Sequence, residues 1–256
     1  TDASGAITED ASTTTLNDTG YIVFNDVDLI DVHTASFVKA TGSLSGTLTL
    51  GSVTGESPTN ESGSVTWSYA VANSATQYLA AGETATETFT VTVNDGHSGT
   101  VNQTVTTTVT GVNDGPTIVA GSTDALGAVT EDASSPTLSD AGYVGFSDID
   151  LIDVHTASVA KASGTLGGTL TLGAVTGETA TNQTGSVGWT YAVANSAVQY
   201  LAVGQTATET FTITIADGHG STASQTVTVT VTGTNDAPVL TLITDSTLPA
   251  VESSNG

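Results

Sequence analysis

Residues 88–97 read Thr-Phe-Thr-Val-Thr-Val-Asn-Asp-Gly-His, an alternating run followed by a turn. Successive side chains of a β-strand point to opposite faces, so Phe89, Val91 and Val93 share one face and the threonines share the other. Asn-Asp-Gly after such a run is a typical hairpin signal. This stretch predicts an antiparallel sheet with one buried face.

The chain contains the same unit twice, without a gap between equivalent positions. Gly-Ala-Ile-Thr-Glu-Asp at 5–10 returns as Gly-Ala-Val-Thr-Glu-Asp at 127–132, an offset of 122 residues (127 minus 5). Asp-Val-His-Thr-Ala-Ser at 31–36 returns at 153–158 with the same offset. This period exceeds the roughly 20–50 residues of solenoid repeats, so each unit is predicted to be a domain that folds by itself.

Each unit closes on a short motif that ends in proline. Gly-Val-Asn-Asp-Gly-Pro occupies 111–116, and Gly-Thr-Asn-Asp-Ala-Pro occupies 233–238. A residue before proline favours extended backbone, which predicts short, stiff linkers. We expect the chain to be a fragment of a longer array, with Val239–Ile243 beginning another module. The predicted division is a first β-sandwich at 1–115, a second at 116–237, and the start of a following module or a linker at 238–256.

Strand-like runs occur throughout both units. About seven are expected per unit, with turn signals about every 8–15 residues, which is typical of immunoglobulin-like sandwiches. Trp67 and Trp189 lie in alternating runs and are expected in the cores. The predicted fold is all-β, with two tandem immunoglobulin-like or cadherin-like antiparallel β-sandwiches arranged end to end. Further predicted strands include Tyr21–Phe24, Leu44–Val53, Ser64–Val71 and Gln225–Val231.

The charge balance restricts the partners. The 256 residues include 26 Asp and Glu but only two Lys and Arg, for a net charge of -24. Nucleic-acid binding needs basic side chains, and anionic membrane surfaces would repel this chain. No apolar run approaches the roughly 18 residues of a membrane span. Dense carboxylates favour a hard cation such as Ca²⁺, although acidity alone also keeps a surface protein soluble.

A set of motifs resembles the VCBS repeat family over nearly all of both units. The resemblance implies modules of very large bacterial surface proteins and adhesins, which are often calcium-dependent and have cadherin-like or immunoglobulin-like folds. It also implies an extracellular location at the bacterial cell surface, and the Asn-Asp-Ala-Pro linker is similar to the calcium-binding linker of cadherins. The motifs are Phe-Asn-Asp-Val-Asp at 24–28, Gly-Trp-Thr-Tyr-Ala-Val-Ala-Asn-Ser at 188–196, Leu-Ala-Val-Gly-Gln-Thr at 201–206, Asp-Gly-His-Gly at 217–220 and Gly-Thr-Asn-Asp-Ala-Pro-Val at 233–239.

Repeated acidic motifs are the candidate metal ligands. In an immunoglobulin-like sandwich, the loops after the second strand and before the last strand lie at the end that receives the incoming linker. The alternative is that these residues form turns by accepting bonds from local backbone N–H groups. The ligands expected at the junction between the units are Asn113, Asp114, Glu131, Asp148, Asp150, Asp153 and Asp217. Their repeat equivalents, expected in half-built sites, are Glu9, Asp26, Asp28, Asp31, Asp95, Asn235 and Asp236.

Other chemistry finds little support in the sequence. With no cysteine there is no thiolate ligand or Cys nucleophile. The nucleophile-elbow motif Gly-x-Ser-x-Gly does not occur. The aromatic content of 5% does not favour a sugar-cleaving cleft. We therefore predict a chain that is not an enzyme, and expect its four histidines, His33, His97, His155 and His219, to be exposed turn residues rather than zinc ligands.

These observations predict an extracellular structural spacer of a large adhesin or matrix protein, stiffened by Ca²⁺ between modules. Its partners would be neighbouring repeats of the same chain and, beyond them, other cells, surfaces or matrix glycans. Two alternatives remain open. One is a subunit that self-associates into filaments. The other is a module that binds glycans or cell surfaces, for which the divergent loops Gly55–Ser64 and Gly177–Ser186 are the candidates.

Overall fold

A computed structural model describes residues 1–240, which form β-strands joined by turns and two single-turn 3-10 helices. The all-β prediction is confirmed, and within the described residues no helix is long and apolar enough to span a membrane. The first half contains β1 (Ser4–Thr8), β2 (Thr15–Asn25), β3 (Thr34–Thr41), β4 (Thr47–Thr54), β5 (Ser62–Ala72), β6 (Thr84–Asn94) and β7 (Thr100–Thr110). The second half contains β8 (Thr117–Asp124), β9 (Leu126–Thr130), β10 (Thr137–Ser147), β11 (Thr156–Ser163), β12 (Thr169–Thr176), β13 (Thr184–Ala194), β14 (Thr206–Ala216) and β15 (Thr222–Thr232).

Each half forms two sheets around its own hydrophobic cluster. In the first half the strand orders are β1-β7-β6-β3 and β2-β5-β4; in the second they are β9-β15-β14-β11 and β8-β10-β13-β12. One cluster draws its buried residues from Ile7 to Val109 and the other from Val129 to Val231. The chain therefore has two separate cores, and the period of the sequence repeat matches them.

One strand pair in each half is parallel, which corrects the expectation of purely antiparallel sheets. β1 pairs with β7, and β9 pairs with β15, in parallel register. The first strand crosses between sheets: Asp124 pairs with Tyr143 of one sheet, and Leu126 pairs with Thr228 of the other. β9 pairs beside β15, the last strand, and runs in the same direction. The final residues of β9 therefore lie next to the linker that leaves the second half.

The alternating pattern predicted the core correctly. Phe89, Val91 and Val93 are all buried in β6. Trp67 and Trp189 are each 1% exposed, and their indole nitrogens donate to backbone carbonyls of Asp2 and Asp124 at 2.7 Å. Such large aromatic side chains supply much of the apolar burial that stabilises a small sandwich.

The only two basic side chains belong to a buried polar group in each half. Lys161 pairs with Glu209, which is fully buried and also accepts a bond from the Tyr191 hydroxyl at 2.9 Å. Lys39 and Glu87 form the same pair in the first half. Burial of the carboxylate is tolerated because each oxygen has a donor. Alternation along β14 places Glu209 on the inward face together with Phe211, Ile213 and Ile215.

The same sheet edge is paired in both halves. Asp124 of β8 pairs with Tyr143 of β10, and Asp2, its repeat equivalent, forms the matching bridge with Tyr21 of β2. The linker continues directly into β8 and is thereby held against the second half. Val239 and Leu240 are exposed and lie outside any strand, while the rest of the predicted strand at 239–243 lies beyond the described residues.

Candidate metal centre

Two loops and a linker meet at the end of the second half that faces the first. Asp148 follows β10 directly, and Asp217 follows β14 directly. Residues 111–116 connect β7 to β8 and enter at the same end. Strand ends therefore bring together carboxylates from different parts of the chain, as the sequence analysis expected of the loops after β10 and β14.

Three carboxylates form the centre of this cluster. Asp148, Asp153 and Asp217 each offer an oxygen, and these oxygens lie within 4.8 Å of one another. All three side chains are buried. Oxygens that bind one Ca²⁺ at about 2.3–2.6 Å are at most about 5 Å apart, so the spacing suits a single cation.

The linker contributes two further groups. The Asn113 amide nitrogen donates to Asp217 Oδ2 and to Ser221 Oγ, both at 3.0 Å. This arrangement leaves Asn113 Oδ1 buried without a hydrogen-bond donor. The backbone N–H of Asp114 donates to Asp150 Oδ2 at 2.9 Å. The linker is thus attached to both acidic loops of the second half.

Glu9 of the first half also belongs to this junction, although the sequence pattern predicted it in a half-built outer site. It follows β1, is 3% exposed, and its Oε2 accepts the backbone N–H of Val112 at 3.3 Å. Burial, together with the nearby charges of Asp114 and Asp150, raises the pKa of Glu9 to about 7. Both halves therefore contribute carboxylates to the cluster.

Glu131 is not part of this cluster, which corrects its expected position at the junction. Its N–H donates to the carbonyl of Thr232, at the far end of β15 from Asp217. Eleven strand residues separate the two ends, a distance of about 33 Å. The parallel pairing of β9 with β15 decides this, because the residue after β9 lies beside the outgoing linker. There Glu131 is 1% exposed, and neither carboxylate oxygen has a hydrogen-bond partner among the described residues.

The carboxylates at the junction perturb one another. Burial raises the pKa of Asp150 to about 7, and the charges of Asp153, Asp148 and Asp114 add to the effect. The pKa of Asp114 is raised by burial and by Asp148. Full ionisation of these carboxylates would therefore place mutually repelling negative charges in a poorly solvated position.

Asp153 and Asp217 have opposite shifts. Burial raises the pKa of Asp153, and although His219 acts in the other direction, the charges of Asp148 and Asp217 also raise it. Burial alone would raise the pKa of Asp217, but bonds from the Asn113 amide and three backbone N–H groups lower it overall. Asp217 is therefore the anion that the fold itself stabilises.

Four buried oxygens at the junction have no hydrogen-bond donor among residues 1–240: Asn113 Oδ1, Asp150 Oδ1 and both oxygens of Asp153. Asp153 Oδ2 lies 3.2 Å from His219 Nδ1, but the two groups are not aligned for a hydrogen bond. Buried acceptors without donors are costly unless something else satisfies them. A hard cation would do so, and the all-oxygen donor set fits Ca²⁺.

The turn-forming alternative accounts for some oxygens but not for others. Asp217 Oδ1 accepts three backbone N–H bonds within its own loop, and Asp148 Oδ1 accepts the N–H of Asp150. In each case one oxygen shapes the loop while the residue still contributes to the cluster. In the first half, Asp95 Oδ1 accepts bonds from His97 and Gly99, as a turn former does.

The remaining candidates lie at the two outer ends. Asp26, Asp28 and Asp31 also place oxygens within 4.8 Å of one another, but they are more exposed than their equivalents in the second half. Asn235 and Asp236 are exposed. Among the described residues, a linker contacts the acidic end of the second half but not that of the first. The acidic side chains are therefore buried in the half where a linker covers them.

Two of the histidines contradict the expectation of exposed turns. The side chain of His155 is 2% exposed, and its Nε2 lies 3.0 Å from Asp148 Oδ2 while Nδ1 contacts Glu178. Its ring packs on Phe146 with 4.8 Å between centroids. His33 has the same environment in the first half, with a side chain 7% exposed. His97 and His219 are exposed, as expected.

The pKa of His33 shows how two neighbouring carboxylates act on a buried imidazole. Burial alone would lower the pKa of His33, but its contacts with Asp26 and Glu56 raise it overall. The sequence signal for both histidines was their fixed spacing of seven positions from the first aspartate of the acidic motif, Asp26 before His33 and Asp148 before His155.

Comparison with known proteins identifies no family. No protein-family model matches the chain, and no curated protein matches it. Among solved structures, CfaE, the adhesive subunit of the CFA/I fimbria of enterotoxigenic Escherichia coli, aligns with a TM-score of 0.43 at 11% identity, covering 93% of this chain and 99% of that one. Mouse cadherin-23 EC22-24 aligns with a TM-score of 0.41 at 15% identity, covering 90% of this chain. Protocadherin gammaB7 EC3-6 aligns with a TM-score of 0.40 at 14% identity, covering 93%.

The chain spans 62% of the cadherin-23 structure and 47% of the protocadherin structure. These structural neighbours are extracellular domains of adhesion proteins. With every identity below 25% and every TM-score below 0.5, the similarities do not identify the function of this chain. The acidic junction is the feature from which its function has to be argued.

Proposed function

We propose that this chain is a pair of extracellular structural modules, 1–115 and 116–237, whose junction is stiffened by Ca²⁺. The modules would be immunoglobulin-like sandwiches in an end-to-end array. The observation that carries the proposal is the group of buried, donor-free oxygens at the junction, at Asn113, Asp150 and Asp153. No turn-forming role explains oxygens that accept no hydrogen bond.

The ligand set would combine both halves and the linker between them. Ca²⁺ takes six to eight oxygen ligands and would supply the positive charge that offsets the mutual repulsion of these carboxylates. Because the ligands come from β1's end, the linker and two loops of the second half, binding would restrain the linker. The residues proposed to hold the ion are Glu9, Asn113, Asp114, Asp148, Asp150, Asp153 and Asp217.

We assign the outer sets to equivalent junctions with neighbouring modules. Asp26, Asp28, Asp31 and Asp95 would receive a preceding linker, while Glu131, Asn235 and Asp236 would meet a following module. The buried, unpartnered carboxylate of Glu131 supports this assignment at the outgoing end. Resemblance to VCBS repeats, together with the acidic composition, supports a spacer in a bacterial surface adhesin or matrix protein that is not an enzyme.

Calorimetric titration with Ca²⁺, followed by small-angle scattering in Ca²⁺ and in EGTA, tests the proposal. We expect saturable binding, a higher melting temperature and a narrower distribution of molecular dimensions in Ca²⁺. Mg²⁺ at the same concentration is the control, since it prefers a smaller octahedral site and retains water. Absence of Ca²⁺ binding by the unmodified chain would refute the metal site and with it the stiffening role.

A further inference from the structure

A buried histidine connects the carboxylate cluster at the junction to a surface loop. His155 Nε2 lies 3.0 Å from Asp148 Oδ2, and Nδ1 contacts Glu178 Oε1. Glu178 lies between β12 and β13 and is separated from Asp148 by 30 residues of sequence. It is not among the proposed ligands. This side-chain contact adds to a backbone connection between the same loop and the cluster, in which the Asp148 N–H donates to the carbonyl of Gln183 at 2.8 Å.

The fold by itself does not require this arrangement. A neutral imidazole has one N–H donor and one acceptor, so a ring with carboxylates at both nitrogens satisfies both only when it donates twice. Burying an imidazole that is 2% exposed beside the carboxylate of Asp148, whose side chain is 3% exposed, is costly without a compensating role. An apolar side chain beside Phe146 would fill the same space at lower cost.

We propose that His155 and Glu178 are positioning residues for the cation: they hold Asp148 in its ligating orientation and couple the loop at 178–183 to the occupancy of the site. The inference rests on the proposed calcium site and adds residues that do not touch the ion. Side chains that orient ligands from behind typically change metal affinity about 10–100-fold when they are removed.

Asp148 shows how the positioning would work. Its Oδ1 accepts the N–H of Asp150 at 3.1 Å, and its Oδ2 is held by His155. Both carboxylate oxygens are therefore oriented from within the second half. Without His155, only the bond from the Asp150 N–H would restrain rotation of the carboxylate about its terminal bond, which is a broad torsion for Asp.

Hydrogen bonds within the loop at 178–183 and a cavity beside it would allow the loop to respond to binding of the cation. Asn182 donates from its side chain to the carbonyls of Gly177 and Thr184, at 2.6 and 3.0 Å, and so ties the two ends of the loop together. A cavity of about 460 Å³ lies between this loop and the acidic loop, with Asp150, Ile152, Thr179 and Gln183 among its walls. Displacement of Asp148 by an ion would be transmitted across the imidazole to Glu178, and hence to one wall of the cavity.

The first half contains an independent copy of the arrangement. His33 Nε2 lies 3.0 Å from Asp26 Oδ2, and Nδ1 lies 2.5 Å from Glu56 Oε1. Its ring packs on Phe24 at 4.8 Å, as His155 packs on Phe146. The arrangement forms although its acidic cluster is not enclosed by a linker, so it is built by the module and not by closure of the junction.

The test compares Glu178→Ala with Glu178→Gln in otherwise intact chains. The glutamine oxygen can still accept from His155 Nδ1, whereas alanine cannot. We expect Glu178→Ala to raise the Kd for Ca²⁺ about tenfold, and Glu178→Gln to stay within about twofold of the unmodified chain. Glu56→Ala is the matched control and should leave the junction affinity unchanged. Melting in EGTA checks that each variant is folded.

Hydrogen exchange distinguishes a positioning role of Glu178 from a purely structural one. In the unmodified chain, Ca²⁺ should slow exchange at residues 178–183, and in Glu178→Ala this calcium-dependent slowing should disappear. Unchanged affinity in Glu178→Ala would overturn the proposal. So would equal losses in the alanine and glutamine variants, since these would assign the effect to charge. Calcium binding by the unmodified chain is measured first, which separates failure of this inference from failure of the metal site.

Discussion

Replacing Asp150 by asparagine should have opposite effects on stability with and without calcium. Asp150 is 3% exposed and has one oxygen without a donor, among carboxylates that help to raise its pKa from 3.8 to about 7. A carboxyl group with a raised native pKa stabilises the fold below its unfolded pKa and loses that contribution as pH rises through the native value. Near pH 7.5 the ionised group is therefore close to its maximum cost.

The stability gain expected for Asp150→Asn in EGTA follows from the pKa shift of Asp150. About three pKa units correspond to about 4 kcal/mol, and sharing of protons with neighbouring carboxyls reduces this to about 2 kcal/mol. Asparagine has the same shape and can still accept the N–H of Asp114. In EGTA, Asp150→Asn should therefore raise the melting temperature of the second half by about 5–10 °C, assuming that this half unfolds as a domain of its own.

With calcium the order should reverse. An ion present at about a thousand times its Kd stabilises the fold by about 4 kcal/mol. Loss of this charged ligand should weaken Ca²⁺ binding about a hundredfold, which removes about 2.8 kcal/mol and so exceeds the gain of about 2 kcal/mol in EGTA. Scanning calorimetry in millimolar EGTA and then in millimolar Ca²⁺ measures the melting temperature of both proteins without and with the ion. Asp28→Asn, at the exposed equivalent position in the first half, is the control and should leave the melting temperature of the second half unchanged in both solutions.

One result would refute this reasoning. If Asp150→Asn is less stable than the unmodified chain in EGTA as well, then the buried oxygen is satisfied without a cation and the junction is not a repulsive apo site. Equal stability of the two proteins in both solutions would contradict the argument in the same way, because the raised pKa requires an energetic difference.

The other predictions concern pH, ligand assignment and the buried ion pairs. Because the pKa values of Glu9 and Asp150 are raised to about 7, the calcium-free chain should become more stable as pH falls from about 7.5 to 5, while its Ca²⁺ affinity falls as protons compete; calorimetry and titration across this range check both signs. Glu9→Gln should weaken Ca²⁺ binding at the junction about tenfold or more, and Glu131→Gln should leave that site unchanged, as titrations of the two variants would show. Lys161→Met leaves Glu209 buried and unpaired, and should lower the free energy of unfolding by about 3 kcal/mol in urea denaturation, whereas equal stability would show that the pair contributes little.

Some features of the chain follow from local pattern alone. Alternation of threonine with apolar residues predicted the strands, since a two-residue period can bury only one face. The gapless offset of 122 residues predicted two similar halves, and Trp67 and Trp189 were placed correctly in their cores. The acidic residues after β10 and β14 were also grouped correctly, because strand ends in a sandwich bring such loops to one end.

Other features depended on which strands pair and in which direction. The motif containing Glu9 and the motif containing Glu131 are nearly identical, yet the parallel pairing of the first and last strands sends Glu9 to the junction and Glu131 to the opposite end of the second half. The sequence pattern has no information on that direction, because side-chain alternation is the same in parallel and antiparallel strands.

Burial of polar groups was likewise decided only by tertiary structure. His155 and Glu178 are 23 residues apart and lie in segments that look like ordinary turns, so nothing local indicates that packing on Phe146 encloses the ring. Glu209 and Lys161 are 48 residues apart and meet because β14 pairs with β11. The sequence alone determined the repeated strands and the supply of carboxylates. Long-range pairing determined which carboxylates are removed from water together, and this desolvation of neighbouring negative charge is the basis of the proposed cation site.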